Sequence, residues 1–266
     1  MTTSATSSAP QAIILAAGKG TRMGGDLPKV VHEVAGKPMV YWVVQACKQA
    51  GVSRCVVVVG YKGELVREAL AGESGVEFVE QTQQLGTGHA ARMAEPLFTT
   101  ASDVDVFVLA GDGPLIRAET LKQLLKLHRD KQAGATLATA TLDDPSGYGR
   151  VVRDAQGLFD AIVEQKDATP AQLAIREVNP SYYCFNAGDL FKSLAQVRNT
   201  NNQNEYYLTD VPALLKQQGR AVCVIDAVPA EDVLSINTPV QLAEVDAILR
   251  KRLGMPQASR QSKESV

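Results

Sequence analysis

The chain has 266 residues, enough for one large α/β domain or two small ones with a sizeable core, and 45% of them are apolar, which excludes wholesale disorder. The formal net charge is −2, so no basic excess points to nucleic acid or an anionic membrane as the main partner. A polyanionic ligand therefore has to be gripped locally, by a few placed cations and backbone amides.

In chain order, short apolar runs rich in β-branched residues alternate with helical patterns. Met1–Pro10 is rich in Ser, Thr and Ala and reads as a loose tail (residues 1–10). Ala12–Leu15 is an apolar run that stops at Gly18. Pro38–Gly51 follows at helical spacing, with Pro38 suited to a first turn and Gly51 to a C-terminal cap. Cys55–Val59 and Val104–Leu109 are wholly apolar strand candidates, Val76–Glu80 a shorter one, and Glu64–Leu70, Gly88–Leu97 and Ala118–His128 read as helices. Thr136–Leu142 is a further strand. Tyr148–Val152 and Leu158–Val163 flank a hairpin-like turn at Asp154–Gly157. Helical spacing returns at Ala187–Val197, Leu208–Gln218 and Pro239–Leu253, with a late strand at Ala221–Val228 and a polar tail at residues 255–266. Continuous apolar strands joined by helices predict a mostly parallel sheet covered on both faces, with ligands bound beyond the carboxyl ends of the strands. No internal repeat or long linker interrupts residues 11–254, so one domain is expected there. No stretch approaches a membrane span. The four cysteines, Cys47, Cys55, Cys184 and Cys223, form no CxxC or Cys/His cluster and read as reduced core residues of a cytoplasmic protein.

Three motifs carry chemistry. Leu15–Met23 (LAAGKGTRM), followed by Leu27-Pro28-Lys29, places small residues directly after a buried strand. Such a segment lets amides approach an anion, and Lys19, Arg22 and Lys29 add cations suited to a triphosphate. The Walker pattern is absent, and the dinucleotide fingerprint is broken because Met23 stands where its third Gly belongs. Gln81 and Gln84–Ala90 (QLGTGHA) offer paired donors and acceptors for base or sugar recognition, with Thr87 also fitting a helix N-cap and His89 a packing role. Ala110–Leu115 sets Asp112 between two glycines at the end of a strand, a pattern that fits either a Mg²⁺ ligand or a turn residue. Gly147–Arg150 reads as a ligand-facing turn or a plain one. Glu164 with Lys166-Asp167 reads as a sugar-hydroxyl site or a surface cluster. Asn179 sits before a strand and Asn237 before a helix, positions where turn and cap roles are the default.

Taken together, LAAGKGTRM…LPK, QLGTGHA, GDGPL, DDPSGYGR, IVEQKDAT, NEYYLTD and the late Asn237 resemble, in order, the N-terminal pyrophosphorylase domain of bacterial N-acetylglucosamine-1-phosphate uridyltransferases. The resemblance implies a Rossmann-like, glycosyltransferase-A-like three-layer sandwich with a mixed, mostly parallel sheet. It implies transfer of UMP from UTP to N-acetylglucosamine 1-phosphate, another N-acetylhexosamine 1-phosphate or NTP pair being the alternative within the same chemistry. Asp112 and Asn237 would bind Mg²⁺, and Arg22 and Lys29 the phosphates. Leu15, Ala16, Ala17, Gly18, Gln81, Gly86 and Thr87 would line the nucleotide site. Gly149, Glu164 and Asn179 would contact the amino sugar, with Thr87 near its acetyl group. Bifunctional members continue into a β-helix acetyltransferase; here acetyl transfer is expected, if at all, from a separate partner, and a monomer or weak dimer is expected. Four positions depart from the family pattern: Ala110 and Gly113 replace an aromatic and a Val, and Pro180-Ser181 replaces Thr-Gly. These departures keep a second class of reading open, a nucleotide-sugar-binding regulatory module without turnover.

Overall fold

The computed structural model describes residues 8–20, 26–99, 103–234 and 236–257. Its centre is three parallel strands, β1 (Gln11–Ala16), β4 (Arg54–Val59) and β6 (Asp105–Ala110), with β1 in the middle. Strands β2 (Glu33–Val34) and β3 (Lys37–Pro38) form a separate small ribbon. β5 (Val76–Glu80) extends the main sheet in parallel beyond β4. On the other side β10 (Glu177–Asn186) runs antiparallel between β6 and β7 (Ala135–Thr141), and β11 (Val222–Asp226) closes the edge parallel to β7. A hairpin of β8 (Gly149–Arg153) and β9 (Phe159–Val163) hangs from β10. The sheet is thus mixed and mostly parallel, as the alternating apolar runs predict.

The two-residue period of the strands sorts side chains to opposite faces. Ala12, Ile14, Val57 and Phe107 meet α1 (Met39–Gln49), α2 (Gly63–Ala69) and α4 (Ala118–Asp130) on one face. Ile13, Val56, Val58 and Val108 meet α3 (Thr87–Arg92), α6 (Ala187–Leu194) and α7 (Val211–Gln217) on the other. Both faces are covered, which explains why the central strands are apolar throughout. A third, smaller core gathers Val34, Met39, Leu115, Ile236, Val245 and Leu249 under α8 (Pro239–Arg252). The remaining helix, α5 (Pro170–Leu173), is one turn with a capping box from Thr169 and Gln172.

Several boundaries differ from the sequence expectation for identifiable reasons. The helix expected over Gly88–Leu97 ends at Arg92 and resumes as a single 3₁₀ turn at Glu95–Leu97, where Pro96 supplies no amide hydrogen. The helix expected from Leu208 opens as a 3₁₀ turn over Leu208–Asp210, and the α-helix begins next to Pro212. Strand β10 is longer than the pattern around Pro180 allows one to read. Its pairing register shifts between Val178 and Tyr182, a bulge that takes up the proline. Asn179 therefore lies inside a strand rather than before one. Gly51 closes α1 as expected: its N–H meets the Lys48 carbonyl and that of Val52 meets the Cys47 carbonyl.

All four cysteines are free, with Cys47, Cys55 and Cys184 buried. Among the described residues no helix is long and apolar enough to cross a membrane. Both terminal segments expected as tails lie largely outside the described residues.

Candidate active site

The carboxyl ends of β1, β4 and β6 are level, with Ala16 opposite Val59 and Leu15 opposite Ala110. Everything that follows these strands therefore emerges at one edge. The backbone there is tied across the strands: the Gly111 N–H donates to the Leu15 carbonyl at 2.9 Å and the Tyr61 N–H to the Ala17 carbonyl at 3.1 Å. Gln84 Nε2 also reaches the Ala17 carbonyl, at 3.0 Å, and so anchors the second motif to the first.

Lys29 stands on a single 3₁₀ turn, Lys29–Val31, after Pro28. It folds back over the glycine loop so closely that a Cβ on Gly20, which has φ +67°, would lie 2.4 Å from Lys29 Cβ. Its ammonium meets the carboxylate of Asp112 at 2.6 Å. Lys19 lies with its Nζ 5.0 Å from the centre of the Tyr61 ring, a cation–π contact.

The second motif is held from a distant part of the chain. The Gly88 N–H donates to the Tyr206 carbonyl and the Tyr206 N–H to the Leu85 carbonyl, each at 2.8 Å. The Leu208 N–H donates to Thr87 Oγ1 at 3.1 Å. Gly86 has φ +104°, and a Cβ there would stand 2.7 Å from the Tyr206 carbonyl oxygen. Thr87 was expected as the helix N-cap; Gly86 takes that position and the Thr87 hydroxyl serves the Leu208 amide instead. Gln81 Nε2 bonds the Gly86 carbonyl at 3.1 Å and His89 Nδ1 at 2.9 Å, so His89 is a packing partner. Burial pushes the His89 imidazole below its ordinary pKa.

On the opposite wall, Glu164 accepts from Thr209 Oγ1 at 3.1 Å. Burial raises its pKa, and the carboxylates of Asp167, Asp210 and Glu205 add to the shift. Asn179 donates from Nδ2 to Tyr183 Oη at 2.5 Å and accepts from the Ser181 N–H at 3.2 Å. Gly149 pairs directly with Asn179 across β8 and β10. Behind it Arg150 is buried, donating to the Tyr148 carbonyl and to Gln165 Oε1, and desolvation lowers its pKa. The cap expected of Asn237 belongs to Thr238, whose hydroxyl accepts the Gln241 N–H at 3.2 Å; Asn237 is left to line the cleft.

These residues line two adjoining clefts. One, of about 490 Å³, holds Leu15, Ala16, Ala17, Gly18, Gln81, Gly86 and Thr87. The other, of about 290 Å³, holds Gly149, Asn179 and Asn237. Lys29, Ala110, Asp112, Glu164 and Ser181 line both, so the clefts meet along that row. Arg22 lies outside the described residues. The nucleotide, sugar and metal residues that the resemblance implies each line one cleft or both, as does Lys29; Lys19 lines neither and rests against the Tyr61 ring. A larger hollow of about 920 Å³ lies beyond Glu164 and Thr209, between β9, α7 and residues 195–201. It has Glu164, Asp167 and Asp210 on its wall against Arg198 alone, and none of the strand-end glycine backbone. That lining opposes phosphate, so the two smaller clefts are the better site.

Asp112 and Asn237 offer a carboxylate and an amide carbonyl to the same cleft. Among the described residues no group of three or more His, Cys, Asp or Glu gathers to form a fuller metal cage. A sparse set of hard oxygen donors fits Mg²⁺, which takes few protein ligands where phosphates supply the rest. It does not fit Zn²⁺, which favours nitrogen and sulfur.

Thr209, Ser181 and Tyr183 are lining residues that sequence reasoning did not single out. Thr209 lies within NEYYLTD, so that motif's nearness in sequence to Tyr206 was the available signal. The site departures also fit together. Tyr182 Oη would stand 3.2 Å from a Cβ at Gly113, so the missing Val side chain there leaves space for the tyrosine from β10.

Residues 12–212 match the MobA-like NTP transferase domain. The chain is 49% identical over 241 residues to the bifunctional protein GlmU of Syntrophomonas wolfei, covering 91% of this chain and 53% of that protein. It is 48% identical to GlmU of Pelotomaculum thermopropionicum and 45% identical to that of Pelobacter propionicus, covering 91% of this chain and 52% of each relative. The chain therefore spans about half the length of the curated relatives it matches. A crystal structure of UDP-glucose pyrophosphorylase complexed with UDP-glucose superposes with a TM-score of 0.74 at 18% identity, over 92% of this chain and 100% of the other. That likeness concerns the fold.

Proposed function

Because the chain belongs to the MobA-like NTP transferase family, we propose that it joins a sugar 1-phosphate to a nucleoside triphosphate with release of pyrophosphate. The pair best supported is N-acetylglucosamine 1-phosphate with UTP, giving UDP-N-acetylglucosamine, since the motifs of this chain resemble those of N-acetylglucosamine-1-phosphate uridyltransferases and the curated relatives are GlmU proteins. The observation that carries the reading is the shared row: two clefts, each fit for one reactant, meet at Lys29 and Asp112.

The strand-end backbone at Leu15–Gly18, with Gln81, Gly86 and Thr87, would seat the nucleotide. Gly149, Glu164 and Asn179 would seat the sugar. An oxygen of the sugar phosphate then forms a bond to the α-phosphorus as the bond to the pyrophosphate oxygen breaks. A phosphate monoester dianion is nucleophilic near neutral pH, so no side chain has to remove a proton. The barrier is repulsion between anions and charge growing on the leaving group; Lys29 would offset both, together with Arg22. Asp112 and Asn237 would hold Mg²⁺, which when bound neutralises phosphate charge and acts as a Lewis acid. Held reactants also meet without a second diffusional encounter. The free thiols fit a reducing, cytoplasmic setting.

The test is a matrix of nucleoside triphosphates and sugar 1-phosphates, read by pyrophosphate release with and without Mg²⁺. UTP with N-acetylglucosamine 1-phosphate should be the fastest pair, and only with metal. A faster CTP or dTTP pair overturns the substrate assignment. No release from any pair, with nucleotide sugar still bound, overturns the enzyme reading in favour of a binding module.

A further inference from the structure

The two segments that carry Asp112 and Asn237 are far apart in sequence, yet a single buried carboxylate fastens them. Asp112 lies between β6 and α4, in the segment that ends at Arg117, and Asn237 follows the 3₁₀ turn Ala230–Val233 in the chain. Arg117 grips Asp232 with both arms of its fork, Nε to Oδ2 at 2.5 Å and Nη2 to Oδ1 at 3.0 Å. Arg252, on α8, donates to the same Oδ1 at 2.6 Å and to the Leu115 carbonyl at 2.7 Å. Arg252 therefore touches both segments at once. The backbone carbonyl of Asp232 accepts from Tyr182 Oη at 3.3 Å, adding β10 to the junction.

The Asp232 side chain is 1% exposed. Taking a carboxylate out of water is costly even when guanidinium groups pair with it, and well-packed apolar residues would generally hold the two segments as firmly. A bidentate charge pair differs from apolar packing in fixing distance and angle. From this geometry we infer that Asp232 is a positioning residue that sets the spacing between Asp112 and Asn237, and hence the chain's affinity for a divalent cation. The inference rests on the reading that those two residues hold the metal. Partners that hydrogen-bond metal ligands directly change metal affinity by about 10–100-fold when removed; Asp232 acts one step further out, through the two segments it ties, so the lower end of that range is expected.

The test uses the full chain and Mn²⁺ alone, with free ion counted by electron paramagnetic resonance, and UTP binding measured separately in EDTA. Asp232→Asn should weaken Mn²⁺ about tenfold or more, with UTP affinity in EDTA unchanged within about twofold; a merely destabilised chain would not divide the two. Asp112→Ala serves as the control. If Asp112→Ala weakens Mn²⁺ and Asp232→Asn leaves it within about twofold of the parent, the inference is overturned and the metal reading stands. If Asp112→Ala has no effect, both fall. Should Asp232→Asn fail to fold, Arg117→Met decides: Arg117 is 35% exposed, and its loss leaves Asp232 paired with Arg252. Mn²⁺ weakened several-fold in that variant supports the inference, and unchanged Mn²⁺ affinity overturns it.

Discussion

Lys29 Nζ lies 2.6 Å from Asp112 Oδ2, so the carboxylate assigned to a metal already carries a cation from its own chain. Lys29 and a metal held there would share one anionic partner, so their effects on binding and on turnover should separate.

Lys29→Met should slow turnover by on the order of 100-fold, the loss of about 3 kcal/mol of charge stabilisation. The same change frees Asp112, so Mn²⁺ alone should bind more tightly than to the parent. Steady-state kinetics beside a Mn²⁺ titration checks this, and a parallel fall in both quantities would refute the competition.

Glu164→Gln should stabilise the fold near neutral pH. Burial favours the neutral acid, so the native state holds a proton that the unfolded chain, with the ordinary carboxyl value of 4.5, has already released. The native chain therefore loses stability as pH rises from 4.5 through the raised value, and the substitution removes that loss. Urea denaturation at pH 4 to 8 should show the two proteins converging at the acid end. The Michaelis constant for the sugar phosphate should rise, because the amide has one accepting oxygen where the carboxylate has two, and Thr209 already donates to this group.

His128 should govern stability on the acid side. It is buried, bonded through Nδ1 to Thr136 Oγ1 at 3.0 Å, and desolvation holds its pKa below 6.5. Asp105 and Asp189 oppose that shift, and Arg129 and Arg220 reinforce it. The unfolded chain takes up a proton first, so stability present above pH 6.5 is lost as pH falls through the lowered value. His128→Gln should flatten the slope below pH 6.5 in thermal melts. An unchanged slope would place the titration elsewhere.

Gly86→Ala should cost about 1–3 kcal/mol through its backbone conformation alone. The added carbon would also stand 2.7 Å from the Tyr206 carbonyl oxygen, forcing the two loops apart. A lowered melting temperature together with weaker UTP binding is the expected result. Weaker binding without any change in melting would mean that the loop contact contributes nothing to the fold.

Much of the architecture was legible because burial on both faces writes itself as unbroken apolar runs, as in Cys55–Val59 and Val104–Leu109. The extent of strand β10 was not legible: a strand was read only beyond Asn179, since Pro180 interrupts the pattern and the bulge that absorbs it depends on partners in β7. For the candidate site, the meeting of Gly18 and Asp112 at one cleft could be expected because each follows a recognisable strand end, and Lys29 because LPK continues the motif that opens at the first. The pairing of Glu164 with Thr209, 45 residues apart, could not. Nor could the junction at Asp232, whose partners Arg117 and Arg252 lie 115 and 20 residues away. Local spacing carries no information about such distances.

The docking of residues 85–88 onto 206–208 has a kinetic meaning. Thr209, the partner of Glu164, follows directly on the strip that clasps the nucleotide lip. Under the proposed reaction, a reactant seated at either end would brace the seat of the other, and by thermodynamic linkage the effect would be returned in equal measure. Turnover by that reaction should then show binding synergy between the two reactants, in a rate law whose terms do not factor into two independent saturations.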